Sequence, residues 1–211
     1  MMPTKEELYQ ALSKKHGEEL QAKFEQAKVA VVGLGGLGSN IAIALARAGV
    51  GHLHLIDFDK VEITNLNRQQ YFVHQIGQYK TEALLENLKQ IAPYCQIKTT
   101  TTKVEKDNIE ELLKEEDIIC EAFDKAEEKA MLVEGVLERF PEKYVVSGSG
   151  MAGISSANTI KTRKVLRHFY LCGDEVSDVQ EEPGLFSTRV LTCAAHEAHM
   201  VLRILAGELN A

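Results

Sequence analysis

Residues 28–60 read KVAVVGLGGLGSNIAIALARAGVGHLHLIDFDK. An apolar run at Val29–Val32 meets a glycine loop, then a charge-free stretch of helical composition, then a second apolar run closed by Asp57. Gly33, Gly35 and Gly38 are spaced G-x-G-x-x-G, and Asp57 follows about 20 residues on, as in a βαβ nucleotide site. The glycines let the backbone turn tightly and approach a phosphate. A helix beginning near Gly36 aims its free N–H groups and positive dipole end at that anion. Asp57 then stands where a carboxylate accepts hydrogen bonds from ribose hydroxyls. Val29–Ala46 carries no charge and is long enough to enter a bilayer. Glycines, Ser39 and Asn40 interrupt it, however, and Arg47 follows. A strand buried on both faces with its packed helix explains the apolarity better.

Outward from this core, residues 5–26 place Leu8, Leu12, Leu20 and Phe24 near a helical period, so an amphipathic leading helix is expected. Residues 57–78 form a long polar stretch in which Phe58, Tyr71 and Phe72 argue against disorder. A helix opens at Lys80 and is stopped by Pro93; strands are expected at Gln96–Thr101, Asp117–Cys120 and Tyr144–Ser147, with a helix from Ala126 to Phe140. Ser155–Ile160 and Arg167–Leu171 read as late antiparallel strands, and Val190–Leu205 as a closing helix. The βα alternation with this tail predicts an α/β, Rossmann-like, doubly wound and mostly parallel sheet. Residues 1–211 are expected to form one domain, with a leading helix (1–26), a Rossmann-like half (27–150) and an antiparallel part with crossover loop and closing helix (151–211).

The chain has 211 residues, 26% charged and 45% hydrophobic, with a formal charge of −7, so an ordinary soluble protein is expected. The acidic balance argues against nucleic acid as the main partner, because phosphate binding needs clustered Lys and Arg. The opening MMPTKEELYQ has no apolar signal core; a cytoplasmic protein without a membrane span is expected. Cysteines at 95, 120, 172 and 193 form no C-x-x-C pair, so neither a zinc ribbon nor a dithiol motif is read. His196 and His199 give H-E-A-H, which reads as a helix-surface pair; it is not the zinc-protease spacing.

Ligands of such sheets sit beyond the carboxyl ends of the strands, where strand order reverses. The glycine loop, Asp57 and Asp124 mark three expected strand ends, and Arg68 and Lys80 supply cations near them. Hydride transfer to a dinucleotide needs neither cation. A triphosphate with Mg²⁺ explains them better, since positive charge offsets a departing pyrophosphate, with Asp124 as metal anchor. Taken singly, Arg68 and Lys80 can be solvated charges, and Asp124 can cap the helix that follows it.

GLGGLGS (33–39), LIDFDKVEITNLNRQ (55–69), GQYK (77–80) and the aspartate of CEAFDK (120–125) resemble the ThiF/MoeB family over Ala22–Gly150. These are relatives of the ubiquitin-activating enzymes that adenylate the C-terminal glycine of small ubiquitin-like sulfur carriers. The chain looks most like the compact ThiF-type proteins of thiamine biosynthesis. The resemblance implies that Gly35 and Gly36 lie against the nucleotide and that Asp57 holds the ribose. It also implies that Asn65, Arg68, Gln69 and Lys80 face the phosphates, and that Asp124 binds Mg²⁺. Arg68, Lys80 and Asp124 would carry the catalysis, with ATP and Mg²⁺ as cofactors, a β-grasp carrier ending in Gly-Gly as partner, and a homodimer as the working form. Three departures stand out. The two zinc-binding cysteine pairs of many members are missing, so no zinc is expected. EEPG (181–184) stands where a crossover-loop cysteine would align, leaving Cys172 as nearest alternative and Cys193 as a core residue. The leading segment offers Lys14, Lys15 and His16 where some relatives supply an arginine to the neighbouring subunit. MoeB-like activation of a molybdopterin carrier, a non-catalytic carrier-binding adaptor and an NAD(P)-dependent oxidoreductase are the alternatives.

Overall fold

The computed structural model describes residues 2–179, 181 and 184–211. Seven strands make one sheet: β1 (Lys28–Val32), β2 (His52–Ile56), β3 (Gln96–Thr100), β4 (Ile118–Glu121), β5 (Tyr144–Gly148), β6 (Lys161–Leu166) and β7 (Phe169–Gly173). Their order is β3-β2-β1-β4-β5-β7-β6. Every neighbouring pair is parallel except β6 with β7. The sheet grows from β1 toward β3, then returns to β1's other side with β4. The reversal puts a crevice between the carboxyl ends of β1 and β4.

Helices cover both faces. Val29, Val31, Leu53 and Leu55 pack with Leu37, Ile41 and Leu45 of α3 (Gly36–Ala48), Leu84 and Leu88 of α4 (Lys80–Ile91) and Val201 of α7 (Ser187–Ala206). The opposite-facing Ala30, Val32, Ile56 and Ile119 pack with Ile109 and Leu113 of α5 (Ile109–Leu113) and Leu132 and Val136 of α6 (Ala126–Arg139). Burial on both faces is why β1 lacks an alternating pattern.

Two expected elements differ, and a third element has no counterpart in the sequence reading. The leading segment is two helices, α1 (Lys5–His16) and α2 (Glu18–Gln26), because Gly17 adopts φ 91 between them. Thr4 and Glu7 close a reciprocal capping box on α1, which buries no residue, whereas α2 buries Gln21 and Phe24. The late strands begin elsewhere: Ser156 caps a short 3₁₀ turn at Ala157–Thr159, and β6 starts only at Lys161. The second late strand is β7, parallel to β5 and antiparallel to β6. Finally, α5 carries no expectation from the sequence; five residues are too few for a periodic stripe.

Candidate nucleotide-binding site

The glycine loop is built by contact. Gly33 holds φ 90, and a Cβ there would lie 2.8 Å from the Ala122 carbonyl oxygen, so β1 and β4 exit against each other. A Cβ on Gly38 would stand 1.8 Å from the Gly33 carbonyl oxygen; only glycine lets α3 start this close to the turn. Gly35 is the N-cap of α3 and has no side chain to cap it. The first-turn N–H groups of α3 thus keep the pairing capacity that an anion would use.

Asp57 follows β2 directly, beside this loop. Its Oδ2 accepts the Leu34 N–H at 2.6 Å and its Oδ1 the Asp59 N–H at 2.7 Å. Burial raises its carboxyl pKa, while Lys80 and these two backbone bonds oppose the shift. Tyr71 Oη donates to the Leu34 carbonyl at 2.7 Å, so the loop is braced from both sides. Lys80, only 7% exposed, reaches Asp59 Oδ2 at 2.8 Å and Asp57 Oδ2 at 4.0 Å. Its charge is paired with the two aspartates that follow β2.

The segment 57–79 is ordered by two short 3₁₀ turns and an antiparallel bridge of Lys60 to Tyr79. Asn65 Oδ1 accepts the Glu62 N–H at 2.9 Å, so the side chain turns the chain locally. The residues after it lie on the glycine loop. Arg68 Cγ would stand 3.4 Å from a Cβ at Gly36, and Gln69 Nε2 3.7 Å from one at Gly35. Arg68 Nη1 donates to Thr64 O and Asn67 Oδ1; burial lowers the guanidinium pKa and Asp124 opposes that. Gln69 is 8% exposed, and its buried Oε1 has no hydrogen-bond partner among the described residues. A buried acceptor without a donor costs about 1–3 kcal/mol. The donor it lacks is what a ligand can bring.

Asp124 follows β4, exposed, with no side-chain hydrogen bond among the described residues. It does not cap α6, whose N-cap is Lys125. No three His, Cys, Asp or Glu side chains stand together as a metal site among the described residues. A metal at Asp124 would therefore take its other ligands from phosphates and water, which suits a nucleotide-borne Mg²⁺.

The remaining candidates fall outside the crevice. Cys172 is fully buried on β7, its thiol pushed far up by burial, which removes it as a nucleophile in this conformation. Cys193 is in the core, as expected. Residues 182 and 183 of the EEPG stretch lie outside the described residues. His16 bonds Gln21 Oε1 at 2.7 Å within its own segment. His196 Nδ1 meets Thr162 Oγ1 at 2.9 Å. The run 147–153 is stitched to the chain after β7: the Ser149 N–H donates to Cys172 O, and the Asp174 and Glu175 N–H groups donate to the Gly150 and Ser149 carbonyls. Asp174 in turn pairs with the buried Arg189 of α7.

A profile of the ThiF family matches residues 9–210. The chain belongs to the ThiF family. Among its relatives is the adenylyltransferase and sulfurtransferase MOCS3 of Culex quinquefasciatus, 34% identical over 136 residues, 64% of this chain and 31% of that protein. The tRNA threonylcarbamoyladenosine dehydratase of Haemophilus influenzae is 38% identical over 114 residues, 53% of this chain and 44% of that protein. The molybdopterin-synthase adenylyltransferase of the same organism is 37% identical over 108 residues, 51% and 44%. The chain thus spans less than half the length of each of these curated relatives. The Escherichia coli tRNA N6-threonylcarbamoyladenosine dehydratase in complex with ATP superposes with TM-score 0.85, covering 99% of this chain and 98% of that one at 23% identity. That likeness shows the fold. No helix among the described residues is long and apolar enough to cross a membrane.

Of the residues expected from sequence, Arg68 and Gln69 lie at Gly36 and Gly35, Asp57 holds the Leu34 N–H, Lys80 stands 4.0 Å from Asp57 and the charge of Asp124 acts on Arg68, whereas the Asn65 side chain turns to Glu62. Sequence reasoning missed Asp59, the partner of Lys80, and Tyr71, the brace of Leu34. The acidic spacing of Asp57 and Asp59 was visible, but which one Lys80 meets depends on the turn between them.

Proposed function

We propose that this ThiF-family chain is an ATP-dependent adenylyltransferase acting on the C-terminal glycine of a small ubiquitin-like, β-grasp sulfur carrier ending in Gly-Gly. One observation carries the reading: Arg68 and Gln69 lie on the glycine loop with a buried acceptor unpaired. A dinucleotide dehydrogenase has no use for that element. The relatives named adenylyltransferases support it.

In this reading Asp57 accepts from the ribose, and the α3 N-terminus, Arg68 and Gln69 hold the phosphates. Lys80 keeps Asp57 and Asp59 in place and contributes positive charge. The carrier's terminal carboxylate, ionised at neutral pH with a pKa near 3.5, needs no general base. One of its oxygens attacks the α-phosphorus, the bond from that phosphorus to the β-bridging oxygen breaks, and pyrophosphate leaves with the electron pair. The chain's contribution is alignment and charge. A Mg²⁺ ion held by Asp124 would neutralise the departing pyrophosphate; no zinc takes part. The exposed Ile63, Phe72 and Val73 are surface that a homodimer would cover. A place in thiamine biosynthesis and a cytoplasmic setting belong to the same reading; MoeB-like activation of a molybdopterin carrier is its nearest variant.

A second reading, adenylation of a modified tRNA base, is supported by the 38% identity to the H. influenzae tRNA threonylcarbamoyladenosine dehydratase. Lys161, Arg163, Lys164 and Arg167 give the edge at β6 a positive character in an otherwise acidic chain. Charged edges also protect sheets from pairing, and Arg163 is bound by Glu175.

ATP–pyrophosphate exchange with Mg²⁺ separates the readings. Exchange that needs a Gly-Gly carrier supports the first; exchange that needs tRNA supports the second. ATP binding without exchange in either case points to an adaptor.

A further inference from the structure

Behind Asp124 lies an ion pair that the chemistry above does not use. Glu121, the last residue of β4, is completely buried. Its Oε1 accepts the Phe123 N–H at 2.7 Å and Lys129 Nζ at 3.2 Å; its Oε2 accepts Lys129 Nζ at 3.1 Å and the Ser147 hydroxyl. We propose that Glu121, locked by Lys129, is a positioning residue that sets the loop 122–124 against the glycine loop and thereby fixes where Asp124 meets a nucleotide-bound divalent cation. The inference rests on the reading of Asp124 given above.

A buried ion pair is weak evidence of stabilisation, since apolar residues of similar volume often serve as well or better. Its placement is more telling. Asp124 does not cap α6 and makes no side-chain hydrogen bond among the described residues, so its own side chain does not fix its position. The hold comes from Glu121, which captures the N–H one residue before Asp124, and from Lys129, which ties the first turn of α6 to the end of β4. The captured loop is also the one that touches the nucleotide loop: a Cβ on Gly33 would meet Ala122 O at 2.8 Å and Phe123 Cδ1 at 3.1 Å. Ser147 joins β5 to the same carboxylate. A relaxed Glu121 therefore moves Asp124 relative to Gly33 without disturbing Asp57 or Lys80, which sit just after β2 and at the start of α4.

The test compares nucleotide and metal affinity in the full chain. A non-hydrolysable ATP analogue is titrated without metal, and Mn²⁺ is then titrated into the saturated complex by its free-ion paramagnetic resonance signal. Glu121→Gln keeps the shape and an acceptor for Phe123 but removes the charge that holds Lys129. We expect metal-free nucleotide affinity within about twofold of the parent and Mn²⁺ affinity about tenfold weaker, the scale of other outer-shell changes. Lys129→Met should weaken Mn²⁺ similarly, and Lys129→Arg should restore it; these variants serve if Glu121→Gln fails to fold. Unchanged Mn²⁺ affinity, or equal losses of nucleotide and metal, would overturn the proposal and leave the pair a structural one. Mn²⁺ binding in the parent that Asp124→Asn leaves untouched would instead overturn the reading of Asp124 itself, and the proposal with it.

Discussion

The side-chain amide of Gln69 lies over Gly35, its Nε2 3.7 Å from where a Cβ would stand, while its buried Oε1 has no partner among the described residues. Filling that acceptor requires a donor from the crevice. Gln69→Leu removes the unmet oxygen at similar volume and should stabilise the ligand-free protein by about 1 kcal/mol. The same change should weaken ATP at least several-fold. Denaturant unfolding and calorimetric titration read the two effects. A variant that loses stability and keeps ATP affinity would assign Gln69 to packing alone.

The glycine loop predicts a contrast between two alanine substitutions. At Gly38 a Cβ meets the Gly33 carbonyl oxygen at 1.8 Å, so Gly38→Ala should cost about 2–3 kcal/mol of stability. At Gly35 nothing stands closer than 3.7 Å, so Gly35→Ala should fold with stability within about 0.5 kcal/mol of the parent. It should nevertheless lose nucleotide affinity, because its methyl group occupies the approach of a phosphate to α3. Equal stability losses in both variants would show that Gly35 serves the fold.

Lys80 holds the two carboxylates that follow β2, at 2.8 Å from Asp59 and 4.0 Å from Asp57. Lys80→Ala leaves buried Asp57 without its counter-charge and should cost about 1–3 kcal/mol. Turnover should fall on the order of 100-fold if the lysine also offsets phosphate charge. A stability loss with unchanged turnover would confine Lys80 to holding the two aspartates.

The parts of the fold written in buried apolar runs were legible. Val29–Val32 and His52–Ile56 end where the sequence places them, because burial on both faces leaves little choice of residue. Elements held by contacts distant in sequence were not. The strand β6, KTRKVL, lies at an exposed edge and reads as polar chain; α5 has five residues; the break at Gly17 looks like one glycine in a helix. At the site, the residue types of the 65–69 element were visible while their partners were not. Asn65 spends its oxygen on Glu62, and Lys80 meets Asp59 through a turn that periodicity does not encode. The Glu121–Lys129 pair was invisible for the same reason.

Glu197 offers a pH prediction. It is completely buried on α7 against Gly148, one oxygen unpartnered, and burial drives its carboxyl pKa well above the usual carboxylate range. The folded protein keeps a proton that the unfolded chain releases above about pH 4.3. The stability tied to this proton is therefore full below that pH and is lost as pH rises toward the folded pKa. Glu197→Gln, neutral at every pH, should match the parent in thermal stability near pH 4.5 and exceed it increasingly toward pH 8. A difference that does not change with pH would contradict the assignment.

In the proposed reaction a carboxylate oxygen attacks the α-phosphorus of ATP over the glycine loop. That step is tested most directly by supplying a Gly-Gly carrier with its terminal carboxylate labelled with ¹⁸O, together with ATP and Mg²⁺, and releasing the product with a thiol. One labelled oxygen should appear in AMP and none in pyrophosphate. Label in inorganic phosphate with ADP as co-product, or AMP without label, would contradict that step.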